Sequence, residues 1–448
     1  MEKLAITLSG GAGATTSPAP PEFTASLQPG APRPRIGKVR WTVCAMLFAA
    51  TSINYIDRQV LGLLAPLLQH TIGWTDLQYS YIVGGFQLAY ALGLIAAGRM
   101  VDKLGSRIGY AIIMAVWSLS AMSHALARTV IEFATARFCL GFGEAGNFPA
   151  AIKTTAEWFP QRERALATGI FNAGTSVGPV LAPALVPWVA LRFGWQAAFL
   201  MTGIFSMTWI VVWLLFFRTP ARHGGLSAAE RGYIDSDREP PVAAIPWSKL
   251  LAYRQTWAFA AGKFCTDPIW WFLLFWLPLF LARRFQLGLA QLSAPLIAVY
   301  VVSAVGSVAG GWLPGLLHRR GMTMSRARIF TMLLCACLVT PIFFASRAPS
   351  EWLSIALISL AVAAHQGWSA NLFTTVSDMF PRAAVGSVVG IGATMGSIGG
   401  TLFSLCAGWI LHVTHSYSLL FAISASAYLV ALAATQWLAP GFKAAAVS

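Results

Sequence analysis

The chain has 448 residues, of which 57% are hydrophobic and only 10% are charged. Because soluble domains carry about 25% charged residues, this composition excludes an ordinary soluble domain and indicates a protein with many membrane spans. The net charge of +15 raises the alternative of a nucleic-acid partner, which the positions of the basic residues can test.

Residues 1–36 are rich in Pro, Ala, Ser, Thr and Gly. They contain no apolar core of signal-peptide length, so we expect residues 1–38 to form a disordered cytoplasmic tail rather than a cleaved leader.

Twelve apolar stretches follow, each near or above the ~20 residues that a helix needs to cross a bilayer. The longest polar interruption, 218–255, is predicted to be a cytoplasmic central loop between a six-helix half at 39–217 and another at 256–440. Residues 441–448 are predicted to be a cytoplasmic tail. The predicted spans are 41–68, 79–98, 110–127, 131–158, 165–190, 196–217, 256–281, 292–316, 329–346, 352–376, 384–411 and 418–438.

The distribution of basic residues supports this topology. With the N-terminus inside, most of the 31 Lys and Arg residues fall in cytoplasmic segments, as is usual for membrane proteins. This excess favours cytoplasmic N- and C-termini and explains the net charge without any nucleic acid. The basic residues of the outer segments are Arg128, Arg192, Arg283, Arg284 and Arg347.

The two halves contain similar segments, EWFPQRERALATGIFNAGTSVG at 157–178 and DMFPRAAVGSVVGIGATMGSIG at 378–399. Weak internal symmetry between six-span halves is typical of transporters. All the matching positions are separated by the same number of residues, which argues against a chance match between glycine-rich spans. The matching pairs are Glu157/Asp378, Phe159/Phe380, Pro160/Pro381, Gly169/Gly390 and Gly178/Gly399.

Motifs for other functions are missing from the sequence. No Gly-Lys-Ser/Thr phosphate loop, nucleophile elbow or His-Glu-x-x-His motif occurs, so neither ATP-driven transport nor an enzyme is indicated. The six cysteines lie in apolar spans without metal-ligand spacing. We therefore expect no cofactor and no metal.

The first span carries charges at membrane depth, because Asn54, Asp57 and Arg58 lie inside its apolar run. An ionisable residue there costs about 2.5–3.5 kcal/mol on insertion scales and usually marks a path for a substrate or a proton. Asp57 and Arg58 point about 100° apart on a helix, so each needs a partner on another helix.

The fourth span supplies candidate partners, since Arg137 and Glu144 lie two helical turns apart on one face. A buried carboxylate can exchange a proton near neutral pH, which makes Asp57 and Glu144 proton-coupling candidates. Arginine stays charged and fits a carboxylate, so Arg58 and Arg137 are candidates for binding an anionic substrate or for holding the acids. A static salt bridge that fixes helix packing is the alternative.

Span seven places Lys263 and Asp267 four residues apart, where they can pair on one helical face. Trp270 and Trp271 follow Pro268 and are candidates for stacking on a sugar ring. A lysine that reaches to the membrane surface and lipid-facing tryptophans are the alternatives.

Polar residues recur in span ten. Ser369 and Asn371 are candidate hydroxyl-binding residues, whereas His365 is expected to donate to a neighbouring helix.

Several motifs together resemble a known family. GRMVDKLGSR at 98–107 is similar to the loop motif of the major facilitator superfamily, and NYIDRQ in span one resembles that family's anion:cation symporter branch. The segments at 137–150, 157–174 and 364–381 look like those of bacterial hexuronate transporters. The resemblance covers essentially the whole chain after residue 38.

The resemblance implies roles for individual residues. Residues that match Asp57 and Glu144 bind protons in the resembled symporters, and those that match Arg137 and Tyr90 line the sugar-acid site. Thr175 departs from the pattern, which often has glutamine there. The loop motif is an inner gate in that family, which assigns a gate role to Gly98, Asp102, Gly105 and Arg107.

We therefore expect an all-α fold of twelve membrane helices in two pseudo-symmetric halves, monomeric and located in a bacterial inner membrane. The expected function is import of a sugar acid, first a hexuronate, together with protons by alternating access. An anion exchanger or uniporter and a non-transporting sensor remain open. The full set of candidate substrate-binding residues is Arg58, Tyr90, Arg137, Thr175, Asp267, Trp271, Ser369 and Asn371.

Overall fold

The computed structural model describes residues 37–236 and 245–446, so most of the predicted N-terminal tail lies outside the described residues. All regular secondary structure in these ranges is helical. The α-helices are α1 (Val39–Ile72), α2 (Asp76–Ser123), α3 (Val130–Glu144), α4 (Asn147–Trp158), α5 (Gln161–Phe193), α6 (Trp195–Phe216), α7 (Ala228–Asp235), α8 (Trp247–Leu250), α9 (Arg254–Phe285), α10 (Ser293–Arg319), α11 (Met324–Val339), α12 (Glu351–Met379), α13 (Arg382–Thr414) and α14 (Ser418–Leu438).

Nine helices in the described ranges are long and apolar enough to cross a membrane. One of them, α2, carries two predicted spans, because it bends where Gly105 has φ 76° and ψ 164°. Two more crossings fall outside the nine, namely α1, which carries Asp57 and Arg58, and the short pair α3 and α4, which meet at Ala145–Gly146. The predicted twelve crossings are therefore all helical.

Glycines that the internal repeat predicts to be equivalent have equivalent packing roles. A Cβ on Gly178 of α5 would lie 2.6 Å from the Cβ of Tyr55 on α1. A Cβ on Gly399 of α13 would lie 2.6 Å from the carbonyl oxygen of Phe264 on α9. In each half, therefore, the missing side chain lets the fifth crossing approach the first closely, and the sequence repeat is also a structural one.

The central connection divides between the halves. In α7, Glu230 accepts hydrogen bonds from the backbone amides of Val39 (3.3 Å) and Arg40 (3.2 Å) at the start of α1. Further along, the Trp247 ring of α8 packs over Gly390 of α13. We call the end of the molecule that carries Gly37, α7 and α8 the loop face, and the other end the opposite face.

Contacts between the halves occur toward the opposite face, where α1 packs on α9, α2 on α13 and α5 on α10. The Tyr79 hydroxyl donates to the carbonyl of Phe275 (2.9 Å), and the Ser404 hydroxyl to Oε1 of Gln87 (3.1 Å). At the opposite face itself, Arg283 of α9 forms an ion pair of 2.5 Å with Asp76 of α2.

Candidate functional site

A buried ion pair lies at the centre of the first half. Nε of Arg58 donates to Oε2 of Glu144 at 2.8 Å, and the two side chains are 2% and 0% exposed. Nη2 of Arg58 also donates to Oδ1 of Asn54, one helical turn away (3.1 Å). The expectation that span four supplies a partner for span one is therefore confirmed for Arg58.

Glycines in the fourth crossing allow Glu144 to reach this position. A Cβ on Gly143 would lie 2.8 Å from the Trp117 amide nitrogen, and one on Gly146 would lie 2.6 Å from Cδ1 of Ile113. Both contacts are with α2. The absence of side chains at these positions lets α3 and α4 pack tightly against α2, next to α1.

Arg137 is fully buried and only partly satisfied. Its Nη2 donates to the carbonyl of Arg58 at 2.6 Å, whereas Nε and Nη1 have no hydrogen-bond partner among the described residues. Oε1 of Glu144 also lacks a partner there. A buried polar group without a partner costs about 1–3 kcal/mol, more if it is charged, so these atoms are well suited to receive a ligand.

Asp57 points away from this ion pair. Its Oδ2 accepts hydrogen bonds from Nε1 of Trp117 (2.7 Å) on α2 and from the hydroxyl of Ser206 (3.1 Å) on α6. Its Oδ1 has no hydrogen-bond partner among the described residues. The partners of Asp57 are thus on the third and sixth crossings, and the suggestion that span four would supply them is wrong for this residue. No motif in the sequence indicates Trp117 or Ser206.

Aromatic rings surround the Arg58 guanidinium. Its Cζ lies 4.6 Å from the ring centroid of Tyr55, 4.9 Å from that of Tyr90 and 5.1 Å from that of Trp271. Such cation–π contacts contribute about 0.5–2 kcal/mol each. Because Trp271 comes from α9, the arginine lies at the boundary between the two halves.

The α9 face that carries Trp271 also carries the second ion pair. Nζ of Lys263 lies 2.7 Å from Oδ2 of Asp267, which confirms the predicted pairing. Residues 263, 267 and 271 follow each other at four-residue intervals and therefore share one face of the helix. Gly396 of α13 leaves no room for a Cβ beside the Asp267 carboxylate.

Three further substrate-binding candidates form no hydrogen bond with these charged residues in the part of the chain that the structure describes, namely Thr175, Ser369 and Asn371. Nδ2 of Asn371 donates to the carbonyls of Gly310 and Gly367 (2.8 Å each), so the amide nitrogen holds α12 against α10. Thr175 and Ser369 are half-buried.

His365 and Trp270 pack against each other. Nδ1 of His365 shares a hydrogen bond with the Tyr428 hydroxyl (2.6 Å) on α14, which confirms a contact with a neighbouring helix, and the histidine ring stacks on Trp270. Trp271 likewise stacks on Phe275, with ring centroids 5.7 Å apart, so each of the two tryptophans has one ring face covered by a neighbouring ring.

The predicted gate residues lie at the bend of α2. Asp102 pairs with Lys153 (3.0 Å) on α4, and Arg107 donates to the carbonyl of Leu214 (2.6 Å) on α6. Gly105 has the left-handed φ that glycine tolerates, whereas Gly98 is helical with no atom within 4 Å of an added Cβ. Lys153, which lies within the predicted span 131–158 and belongs to no sequence motif named above, joins this group.

Comparisons with known proteins agree with this architecture. The model of the Major Facilitator Superfamily matches residues 47–404. A hexuronate transporter of Escherichia coli K12 is 32% identical over 397 residues, 87% of this chain and 92% of the relative. A galacturonate transporter of Dickeya chrysanthemi is 33% identical over 306 residues, 66% of this chain and 89% of the relative. The solved inward-open structure of the E. coli xylose transporter XylE shares the fold, with a TM-score of 0.70 at 14% identity over 90% of this chain and 96% of XylE.

Proposed function

From the premise that the chain belongs to the Major Facilitator Superfamily, we propose that it is a symporter that imports a sugar acid together with protons. The chain is a membrane transporter rather than an enzyme, as are its relatives. The first substrate to test is a hexuronate such as glucuronate or galacturonate, because the relatives named above carry those names.

The observation that carries the proposal is the incompletely paired charge cluster of the first half. Arg137 is 0% exposed and offers two donors, Nε and Nη1, that have no hydrogen-bond partner among the described residues. Because Nε and Nη1 lie on different edges of the planar guanidinium, each can donate one charge-assisted hydrogen bond to an anionic group such as the carboxylate of a sugar acid. We propose that the same ligand contacts Arg58, Tyr90 and Trp271, because the rings of Tyr90 and Trp271 lie against the Arg58 guanidinium at the boundary between the halves.

Proton coupling is proposed for Asp57 and Glu144. The cluster contains two carboxylates and two arginines, although Asp57 points away from the Arg58–Glu144 pair, so it is neutral when both acids are ionised. Protonation of either acid leaves an uncompensated positive charge at the site, which favours an anion. Release of the proton removes that attraction, so substrate and proton enter and leave together.

The placement of contacts between the halves supports a proposal of alternating access. We propose that residues 39–217 and 256–440 rock against each other around the site. The described contacts, including the Arg283–Asp76 ion pair, hold the halves together toward the opposite face. We propose that the loop face is cytoplasmic because basic residues concentrate there, which makes this conformation inward-facing.

Roles for the remaining predicted residues follow from the same cycle. We propose that Gly98, Asp102, Gly105 and Arg107 act at the inner gate, and that Thr175, Ser369 and Asn371 contact substrate hydroxyl groups. For Asn371 this role falls to Oδ1, since its nitrogen is engaged in helix packing. We also propose a monomer surrounded by the lipid of a bacterial inner membrane.

The test is uptake into sealed proteoliposomes, with and without an inward proton gradient. The panel contains uronates, aldonates, aldarates and neutral hexoses. Gradient-driven accumulation of a sugar acid, without uptake of hexoses, is the expected result. Uptake that requires a counter-anion inside the vesicles would instead identify an exchanger, and binding without any accumulation would identify a sensor.

A further inference from the structure

The ion pair of the second half lies close to the proposed carboxylate site. Trp271 is one helical turn, about 5.4 Å, further along α9 from Asp267 and covers the Arg58 guanidinium. One small ligand can therefore contact Arg58 and the Lys263–Asp267 pair together.

This pair is more accessible than the buried pair of the first half. The side chains of Lys263 and Asp267 are 8% and 16% exposed, compared with 2% and 0% for Arg58 and Glu144. Nζ of Lys263 also lies 4.4 Å from the ring centroid of Phe373 on α12, a side chain that is 38% exposed. A purely structural pair within α9 would not need this access.

We propose that the Lys263–Asp267 pair makes the transporter selective for sugar acids with a single carboxylate and excludes diacids. The proposal rests on the proposed function, because it concerns the end of the same substrate that lies away from Arg58 and Arg137. Asp267 accepts a hydrogen bond from a substrate hydroxyl, and Lys263 donates to a neighbouring oxygen.

Charge is the reason for the exclusion. Asp267 neutralises Lys263, so the pair offers no net attraction to a second carboxylate, and the Asp267 oxygens repel one. A like-charge contact across a binding interface costs several kcal/mol, and specificity commonly depends on such repulsion. Hydroxyl groups meet no such penalty, since they can both donate to Asp267 and accept from Lys263.

The packing of α13 makes the position of Asp267 testable by a second route. Gly396 lies against Oδ2 of Asp267 with no room for a Cβ. By the spacing of the internal repeat, its equivalent in the first half is Thr175, which carries a side chain. Gly396→Ala should therefore displace the Asp267 carboxylate from Lys263 without removing either charge.

The experiment is competition for uptake of labelled glucuronate in proteoliposomes, with gluconate as a monoacid competitor and glucarate and galactarate as diacid competitors. In the wild type, diacids should compete at least roughly tenfold more weakly than gluconate. Asp267→Asn should shift the ratio toward the diacids by roughly tenfold, because Lys263 becomes an uncompensated cation. The double variant Lys263→Met, Asp267→Asn should lose that gain, since it has no cation left.

Glu351→Gln, which removes a carboxylate at the distant start of α12, serves as the matched control and should leave the ratio unchanged. Equal competition by monoacids and diacids in the wild type would overturn the inference. The inference would also be overturned if folded Asp267→Asn gave a ratio of diacid to monoacid competition within about twofold of the wild-type ratio. If that variant does not fold, the same criterion applies to Gly396→Ala. In all of these cases glucuronate uptake by the wild type would leave the proposed function standing, whereas only the absence of uptake of every sugar acid in the panel would refute the proposed function itself.

Discussion

The two halves of the molecule hold their buried charges in different ways. The first half contains Asp57, Arg58, Arg137 and Glu144, none more than 2% exposed. Three of them carry atoms that have no hydrogen-bond partner within residues 37–236 and 245–446. The second half contains Lys263 and Asp267 as a satisfied pair with partial access. The two repeated halves thus have similar helix packing but differ in their buried charged groups. We infer that the first half binds the substrate carboxylate and exchanges protons, whereas the second half contacts the remainder of the substrate and determines selectivity.

Glu144→Gln tests the first half most directly. Glutamine cannot exchange a proton and leaves Arg58 without its counter-charge, so proton-driven accumulation should be lost while exchange is partly kept. Removing one partner of a buried ion pair costs about 3–5 kcal/mol, so thermal stability should fall as well. The measurement is uptake against a gradient, compared with counterflow in the same vesicles.

Glu132→Gln is the control for that variant, because Glu132 lies on the same helix but is exposed at its start. Glutamine can keep the hydrogen bonds of this capping box. Full accumulation by Glu144→Gln would show that the coupling assignment is wrong.

Arg137→Lys separates charge from geometry at the proposed carboxylate site. Lysine keeps the charge but lacks the planar fork, so apparent affinity for the sugar acid should fall by roughly tenfold to a hundredfold. Arg192→Lys, at an exposed arginine that stacks on Trp188, should leave affinity unchanged. An equal effect of both variants on the half-saturating concentration would argue against a specific role for Arg137.

Two glycines make the comparison between halves quantitative. Gly105 in the first half and Gly321 in the second both have a left-handed φ, of 76° and 96°. Replacement of either by alanine should lower stability by about 1–2 kcal/mol. Gly98→Ala, in a helical conformation with open space around the Cβ, should have no such cost. Thermal unfolding in detergent measures all three, and equal melting temperatures would contradict the backbone argument.

Arg283→Gln should have the smallest effect, because the Arg283–Asp76 ion pair is partly exposed and such pairs contribute about 0–1 kcal/mol. The population open toward the opposite face should rise by only a few-fold. Spin labels introduced by Thr71→Cys and Gln286→Cys would report it as a longer distance component. The matched control is Arg284→Gln, because Arg284 donates to the carbonyls of Ser346 and Ala348 within its own half.

Local rules were sufficient where partners lie on one helix or at a fixed helical angle. Lys263 and Asp267 pair because they are four residues apart, and Asp57 and Arg58 diverge because neighbours on a helix point about 100° apart. The twelve crossings follow from apolar length, even where charges interrupt α1 or Gly105 bends α2 without a loop.

Other contacts depend on which helices pack together, and no spacing encodes that. The hydrogen bonds of Asp57 to Trp117 and Ser206 require α2 and α6 to meet behind α1. The use of the Asn371 nitrogen in packing depends likewise on the close approach of α10 to α12. A polar residue in an apolar span predicts that a partner exists, but not which residue it is.

The division of the central connection has a consequence for chain continuity. Glu230 fastens α7 to the first half at α1, and Tyr233 adds a hydrogen bond of 2.9 Å to Glu163 on α5. Trp247 fastens α8 to the second half at Gly390. A cut between Ser236 and Ile245 would leave all of these contacts within their own halves, so two separately produced fragments should reassemble in the membrane into a working carrier.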